Sequence, residues 1–148
     1  MIRKITEFDR EEFFALVREF YTSEAVLHPV PKENHEALWV ELMRGSPFCE
    51  MYLVEHEGAV AGYMQLSYTF SQEAGGRTAW LEELYIRPQF QRRGLGHECF
   101  AYIAKYIEPT VRRIRLEIEP DNDGARRLYE SMGFESLGYA QMVKEIAK

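Results

Sequence analysis

Cysteine is scarce in this chain of 148 residues, which has two, Cys49 and Cys99. They show no CxxC spacing and stand beside no clustered histidines, so neither a disulfide framework nor a zinc site is expected, and no metal. Long apolar runs are missing as well. No stretch approaches the roughly 20 residues needed to cross a bilayer, and the opening MIRKITEFDREEFF lacks the apolar centre of an export signal. A cytoplasmic location and no membrane partner are the expectations. Positive charge is in deficit, with 18 Lys and Arg against 24 Asp and Glu, a net charge of −6. Such a chain is poorly suited to hold a phosphate backbone over a broad face, so no nucleic-acid partner is expected. Neither a GxGxxG turn nor a GxxxxGK[ST] loop occurs, which weakens dinucleotide and nucleoside-triphosphate readings.

What is present suffices for one core. With 46% hydrophobic and 14% aromatic residues, the chain is expected to form a single domain over 1–148. Ile2 to Thr6 alternates like a short edge strand, and Asp9 can cap a helix through Phe13, Leu16, Val17 and Phe20. A second helix through Leu38, Leu42 and Met43 is stopped by Gly45 and Pro47. Met51–Glu55 and Val60–Tyr68 read as strands joined by a Glu57-Gly58 turn, and Thr78–Arg87 as a third strand ended by Pro88. A helix from Gly94 to Tyr106, a strand from Arg112 to Glu119, a helix from Asn122 to Met132 and a final pair of strands from Phe134 complete an α/β order. Cys99 falls on the first of these helices as a small buried apolar residue.

The most informative stretch is Leu84-Tyr85-Ile86-Arg87-Pro88-Gln89-Phe90-Gln91-Arg92-Arg93-Gly94-Leu95-Gly96. An apolar strand leads through a polar turn to a glycine pair that opens a helix. Unpaired amides at the positive end of a helix dipole suit an anion, and the glycines let it approach the backbone. Arg92 and Arg93 add charge around it, and a diphosphate fits such a cradle.

Gln91-Arg92-Arg93-Gly94-Leu95-Gly96 resembles the Q/R-x-x-G-x-G/A pyrophosphate loop of the GNAT acyltransferases, and Leu-Tyr-Ile-Arg-Pro is similar to the strand that precedes it in that family. Asn122 to Phe134 resembles the family's N-x-x-A-x-x-L-Y-x-x-x-G-F segment, with order and separation also alike. The resemblance covers nearly the whole chain. It implies a mixed central sheet of about six to seven strands flanked by about four helices, with acetyl-coenzyme A as co-substrate. It further implies that Leu84, Tyr85 and Ile86 offer main-chain partners to the coenzyme arm, that Asn122 also binds this arm, and that Tyr129 is the general acid facing the sulfur.

Aminolysis of a thioester also needs a route for the amine's proton. Glu82 and Glu83 stand just ahead of Leu84, although neighbours on a regular strand face opposite ways unless a bulge re-aims the chain. Trp80 to Ile86 resembles the Leu-Glu-Asp stretch of spermidine/spermine and thialysine acetyltransferases, with Glu in place of Asp at 83. That likeness implies Glu82 as proton acceptor and Glu83 as attractor of a cationic substrate. Tyr21, His28, Trp39, Tyr68 and Phe70 are candidates for the acceptor pocket, with Tyr21 and Tyr68 put forward as substrate-binding residues. Three readings stand: an N-acetyltransferase acting on a primary amine of a small molecule, the same fold acetylating a protein lysine or N-terminus, and a regulator that only binds acetyl-coenzyme A. A homodimer is compatible with each.

Overall fold

The computed structural model describes residues 1–147; Lys148, the last residue of the expected domain, lies outside the described residues. The chain divides into two compact units, Met1–Leu116 and the residues from Glu117 onward. The first unit holds a five-stranded sheet in sequential order, made of β1 (Ile2–Lys4), β2 (Cys49–His56), β3 (Ala59–Ser71), β4 (Gly76–Ile86) and β5 (Arg113–Arg115). Strands β1 to β4 are antiparallel neighbours, and β5 runs parallel to β4 over Thr78 to Trp80.

Local chemistry explains the connections. Glu57 and Gly58 take φ of 50° and 80°, which is what a two-residue type I′ hairpin requires. A Cβ on Gly62 would sit 2.0 Å from the Tyr85 carbonyl, so β3 and β4 approach closely only because position 62 has no side chain.

Two helices cover one face of the sheet. α1 (Arg10–Tyr21) buries Phe13, Leu16 and Val17 against Met51, Leu53 and Tyr63, and α2 (Lys32–Met43) lays Trp39 on Phe13 with ring centroids 5.2 Å apart. The opposite face is covered by α3 (Leu95–Tyr102), which continues through a π turn, Ile103–Ile107. Leu95, Cys99, Ile103 and Ile107 pack there on Met64, Leu66 and Leu81. Burial pushes the Cys99 thiol up to about 12, as befits a core residue.

The expected α/β class is observed, and four expectations of detail are not. The sheet has five strands rather than six to seven. From Phe134 no described residue is in a strand, and within its own unit this segment has no second strand to pair with among the described residues. The strand expected over Arg112–Glu119 is confined to Arg113–Arg115, where β4 offers a partner. Asp9 precedes α1 but does not cap it. Its carboxylate instead accepts two bonds from Arg3 at 2.8 Å and one from the Thr6 amide at 2.8 Å.

This clamp ties β1 to the start of α1, and Arg3 holds the Asp9 carboxyl down at about 2, below its ordinary 3.8. A depressed folded-state pKa contributes stability that is complete above about pH 4 and is lost as pH falls toward about 2. Urea unfolding across that window is expected to show a flatter pH dependence for Asp9→Asn than for the wild type; parallel curves would mean the pair adds nothing.

Candidate active site

On a regular strand Glu82 and Glu83 would face opposite sides of the sheet. In β4 they do not, because Gln65 pairs with Glu83 and Leu66 with Leu81, which leaves Glu82 as the extra residue of a β-bulge. Both carboxylates consequently turn to the face covered by α1 and α2. Glu82 accepts from the Ser67 hydroxyl at 2.6 Å and is exposed. Glu83 is half-buried and accepts from two phenols, Tyr21 at 2.5 Å through Oε2 and Tyr63 at 2.6 Å through Oε1. Burial first, and then the Glu83 carboxylate, push both phenols well above the ordinary tyrosine value, so they remain donors.

Beyond Ile86 the chain makes a short turn and a loop. Pro88–Phe90 is one 3₁₀ turn, after which Arg92 and Gly94 take φ of 62° and 78°. A left-handed arginine is strained, and successive amides in such a loop form a concave nest for anions. Among the described residues the amides of Arg92, Arg93, Gly94, Leu95, Gly96 and His97 make no backbone hydrogen bond, and the next one, from Glu98, goes to Gly94 at 3.1 Å. A Cβ on Gly94 or Gly96 would meet nothing within 4 Å. Six unpaired amides at the N-terminus of α3, open space above the glycines, and exposed Arg92 and Arg93 fit a diphosphate. Leu95 contributes its amide alone, since its side chain is buried. Gln91 closes the turn, its amide donating to Pro88 at 3.3 Å and its side chain to the Ile86 carbonyl at 3.1 Å.

The strand before the loop offers fewer free groups than its sequence suggests. The Arg87 amide donates to Ala61 at 2.8 Å and the Tyr85 carbonyl lies against Gly62, so both point to β3. Main-chain groups alternate in direction along a strand, which sends those of Leu84 and Ile86 to the opposite edge, where within this unit β5 pairs only as far as Trp80. Arg87, part of the basic stretch, is committed to structure. Its guanidinium holds Glu12 and Glu19 of α1, each at 3.0 Å, and Tyr85 joins Glu19 at 3.2 Å.

In the second unit, α4 (Asp123–Ser131) is capped by Asn122, whose side-chain oxygen accepts from the Ala125 amide at 3.1 Å. Its end is a Schellman motif in which Phe134 donates to the Tyr129 carbonyl at 3.0 Å and Gly133, at φ 93°, donates to that of Glu130 at 3.1 Å. The Tyr129 and Phe134 rings meet edge to face at 5.9 Å, and burial raises the Tyr129 phenol above its ordinary value.

Of the two tyrosines put forward for the acceptor, the structure brings Tyr21 to Glu83 and takes Tyr68 elsewhere. Tyr68 lies on the α3 face, donates to Glu50 at 3.0 Å, and has Arg77 over its ring at 3.8 Å. Phe70 and His28 are exposed, and Trp39 belongs to the packing of α1 on α2. Sequence reasoning missed Tyr63 and Ser67, which hold the two carboxylates, and His35, whose ring is 5.1 Å from Tyr21. Among the described residues no group of three or more His, Cys, Asp or Glu is placed to hold a metal, and no helix is long and apolar enough to cross a membrane.

The sequence matches the family described as Acetyltransferase (GNAT) family over residues 10–134. A thialysine N-epsilon-acetyltransferase from Bos taurus is 27% identical over 150 residues, covering 95% of this chain and 87% of that protein. Two solved structures share the fold. A possible acetyltransferase from Clostridium difficile 630 superposes with a TM-score of 0.83 at 18% identity, over 100% of this chain and 98% of the other. AAC(6')-Iy in complex with the bisubstrate analog CoA-S-monomethyl-acetylneamine gives 0.78 at 16% identity, over 99% of this chain and 98% of the other.

Gly96→Val places a branched side chain in the open space of the loop without the backbone strain that Gly94 would add. Calorimetric titration is expected to show acetyl-coenzyme A binding weakened by at least about tenfold, the equivalent of one or two lost charged hydrogen bonds, with the thermal midpoint near that of the wild type. Unchanged affinity would separate the loop from the coenzyme.

Proposed function

The chain belongs to the GNAT acetyltransferase family, and on that premise we propose that it transfers an acetyl group from acetyl-coenzyme A to a primary amine of a small molecule by direct attack. The enzyme is an acyltransferase of that family; the nature of the acceptor and the roles of individual residues are our reading. When bound, acetyl-coenzyme A supplies the activated acetyl thioester. The amides from Arg92 to His97, with Arg92 and Arg93, would hold its diphosphate, and the outer edge of β4 at Leu84 and Ile86 its arm, where Gln91 already occupies the Ile86 carbonyl.

The observation that carries the proposal is the bulge in β4, which puts Glu82 and Glu83 on one face of the strand that runs into the amide-lined loop. Their different surroundings support different tasks. Glu83 has both oxygens engaged by phenols and stands as a fixed anion to attract an ammonium, whereas Glu82 has one hydroxyl partner, on Oε1, and faces solvent, as a proton acceptor working through water requires. Tyr129 is assigned the proton for the departing sulfur from its place in the Asn-to-Phe motif, and a phenol whose burial raises its pKa keeps that proton at neutral pH. Asn122 is assigned a second role beside its cap, as a partner of the coenzyme arm. We further take the enzyme to act in the cytoplasm, without metal or nucleic acid.

A panel of primary amines mixed with enzyme and acetyl-coenzyme A, read by release of free thiol, tests the acceptor class. Turnover with small amines is expected. Thiol release with protein substrates alone would move the acceptor to protein, and coenzyme binding without release from any acceptor would make the chain a sensor. Tyr129→Phe is expected to lower kcat by about 10²- to 10⁴-fold, the usual range for a general acid, with a smaller change in the coenzyme KM; equal changes in both, or none, would return Tyr129 to packing.

A further inference from the structure

A cleft of about 890 Å³ runs between α1 and α2, a size suited to a small molecule. Of the residues given a chemical role above, only Tyr21 lines it, and through its bond to Glu83 this tyrosine joins one end of the cleft to the anchor carboxylate. The cationic side chains along the cleft are not equivalent. Arg10 lies over the Phe14 ring at 4.9 Å, and Lys32 is 3.8 Å from Glu36. Arg18 has no carboxylate or ring partner among the described residues, and it stands one helical turn before Tyr21, on the same face of α1. His35, on α2, packs its ring against Tyr21. Burial is the main reason its pKa is lowered, and Glu83 and Arg18 act on it in opposite senses.

We infer that the acceptor is a small amine that also carries a carboxylate, with its amine end toward Glu83 and its carboxylate on Arg18, which makes Arg18 a specificity-determining residue. This rests on the reading above that Glu83 attracts the acceptor's ammonium. A guanidinium without a protein partner presents a planar fork that matches a carboxylate. Glu11 and Glu36 on the same cleft disfavour a dianion, which selects a carboxylate over a phosphate monoester.

Steady-state thiol release with ω-amino acids of increasing length, each compared with the alkylamine lacking its carboxylate, tests the inference. At least one length is expected to exceed its alkylamine in kcat/KM by about fivefold, the upper range for an exposed ion pair. That ratio should shrink with added salt, fall toward one in Arg18→Gln, and be partly kept in Arg18→Lys. Alkylamines turned over as well as every amino acid, or a preference that survives in Arg18→Gln, would overturn the inference while leaving the small-amine reading standing. Absence of turnover with any amine, in enzyme that binds acetyl-coenzyme A, would defeat that reading and the inference with it.

Discussion

The site depends on the pairing of β3 with β4. These strands share ten paired positions, and one unmatched residue in that ladder decides where the acidic side chains go. Without the bulge at Glu82, one carboxylate would face α1 and α2 and the other would enter the apolar layer beneath α3, where an unpaired charge is expensive. With it, both share a face, and the strand regains its alternation in time to bury Leu84 and Ile86 beneath α3. Gly62 makes the close approach of the two strands possible. Downstream, β4 runs straight into the loop whose amides are unpaired, so one strand sets both the carboxylates and the amide-lined loop.

The face that carries the carboxylates is held by polar contacts between elements distant in sequence. Tyr21 of α1 and Tyr63 of β3 fix Glu83, and Arg87 with Tyr85 fixes Glu12 and Glu19 on α1. Helix α1 is thereby tied to the residues that immediately precede the amide-lined loop. Most of these groups are partly buried, where hydrogen bonds to charged partners are worth more than at an open surface. Glu50 is held by Tyr52 and Tyr68 on the opposite face in a similar way, at 2.6 and 3.0 Å.

What could be read from the sequence was local. The Glu57-Gly58 turn, the stop at Pro88 and the helix starts at Gly94 and Asn122 each follow from the preferences of a few adjacent residues, and each appears where expected. The bulge, Tyr63 and Ser67 could not be read, because strand register depends on which residue of β3 stands opposite which residue of β4. Parity could have warned about Tyr68, since residues an odd number apart on a strand face opposite ways, but which face carries the two carboxylates only emerges once the register of β4 is known. The final pair of strands expected from Phe134 is not found among the described residues.

The division of labour between Glu82 and Glu83 is the central claim, and the pH and salt dependence of kcat and KM in Glu82→Gln and Glu83→Gln tests it most directly. If Glu82 accepts the proton of a bound ammonium, its variant loses most rate near neutral pH and regains part of it at alkaline pH, where more of the amine is already neutral. If Glu83 is the fixed anion, its variant chiefly raises KM for charged acceptors, by a factor that shrinks as salt screens the attraction. Two variants with the same profile, or with that of the wild type, would contradict the assignment.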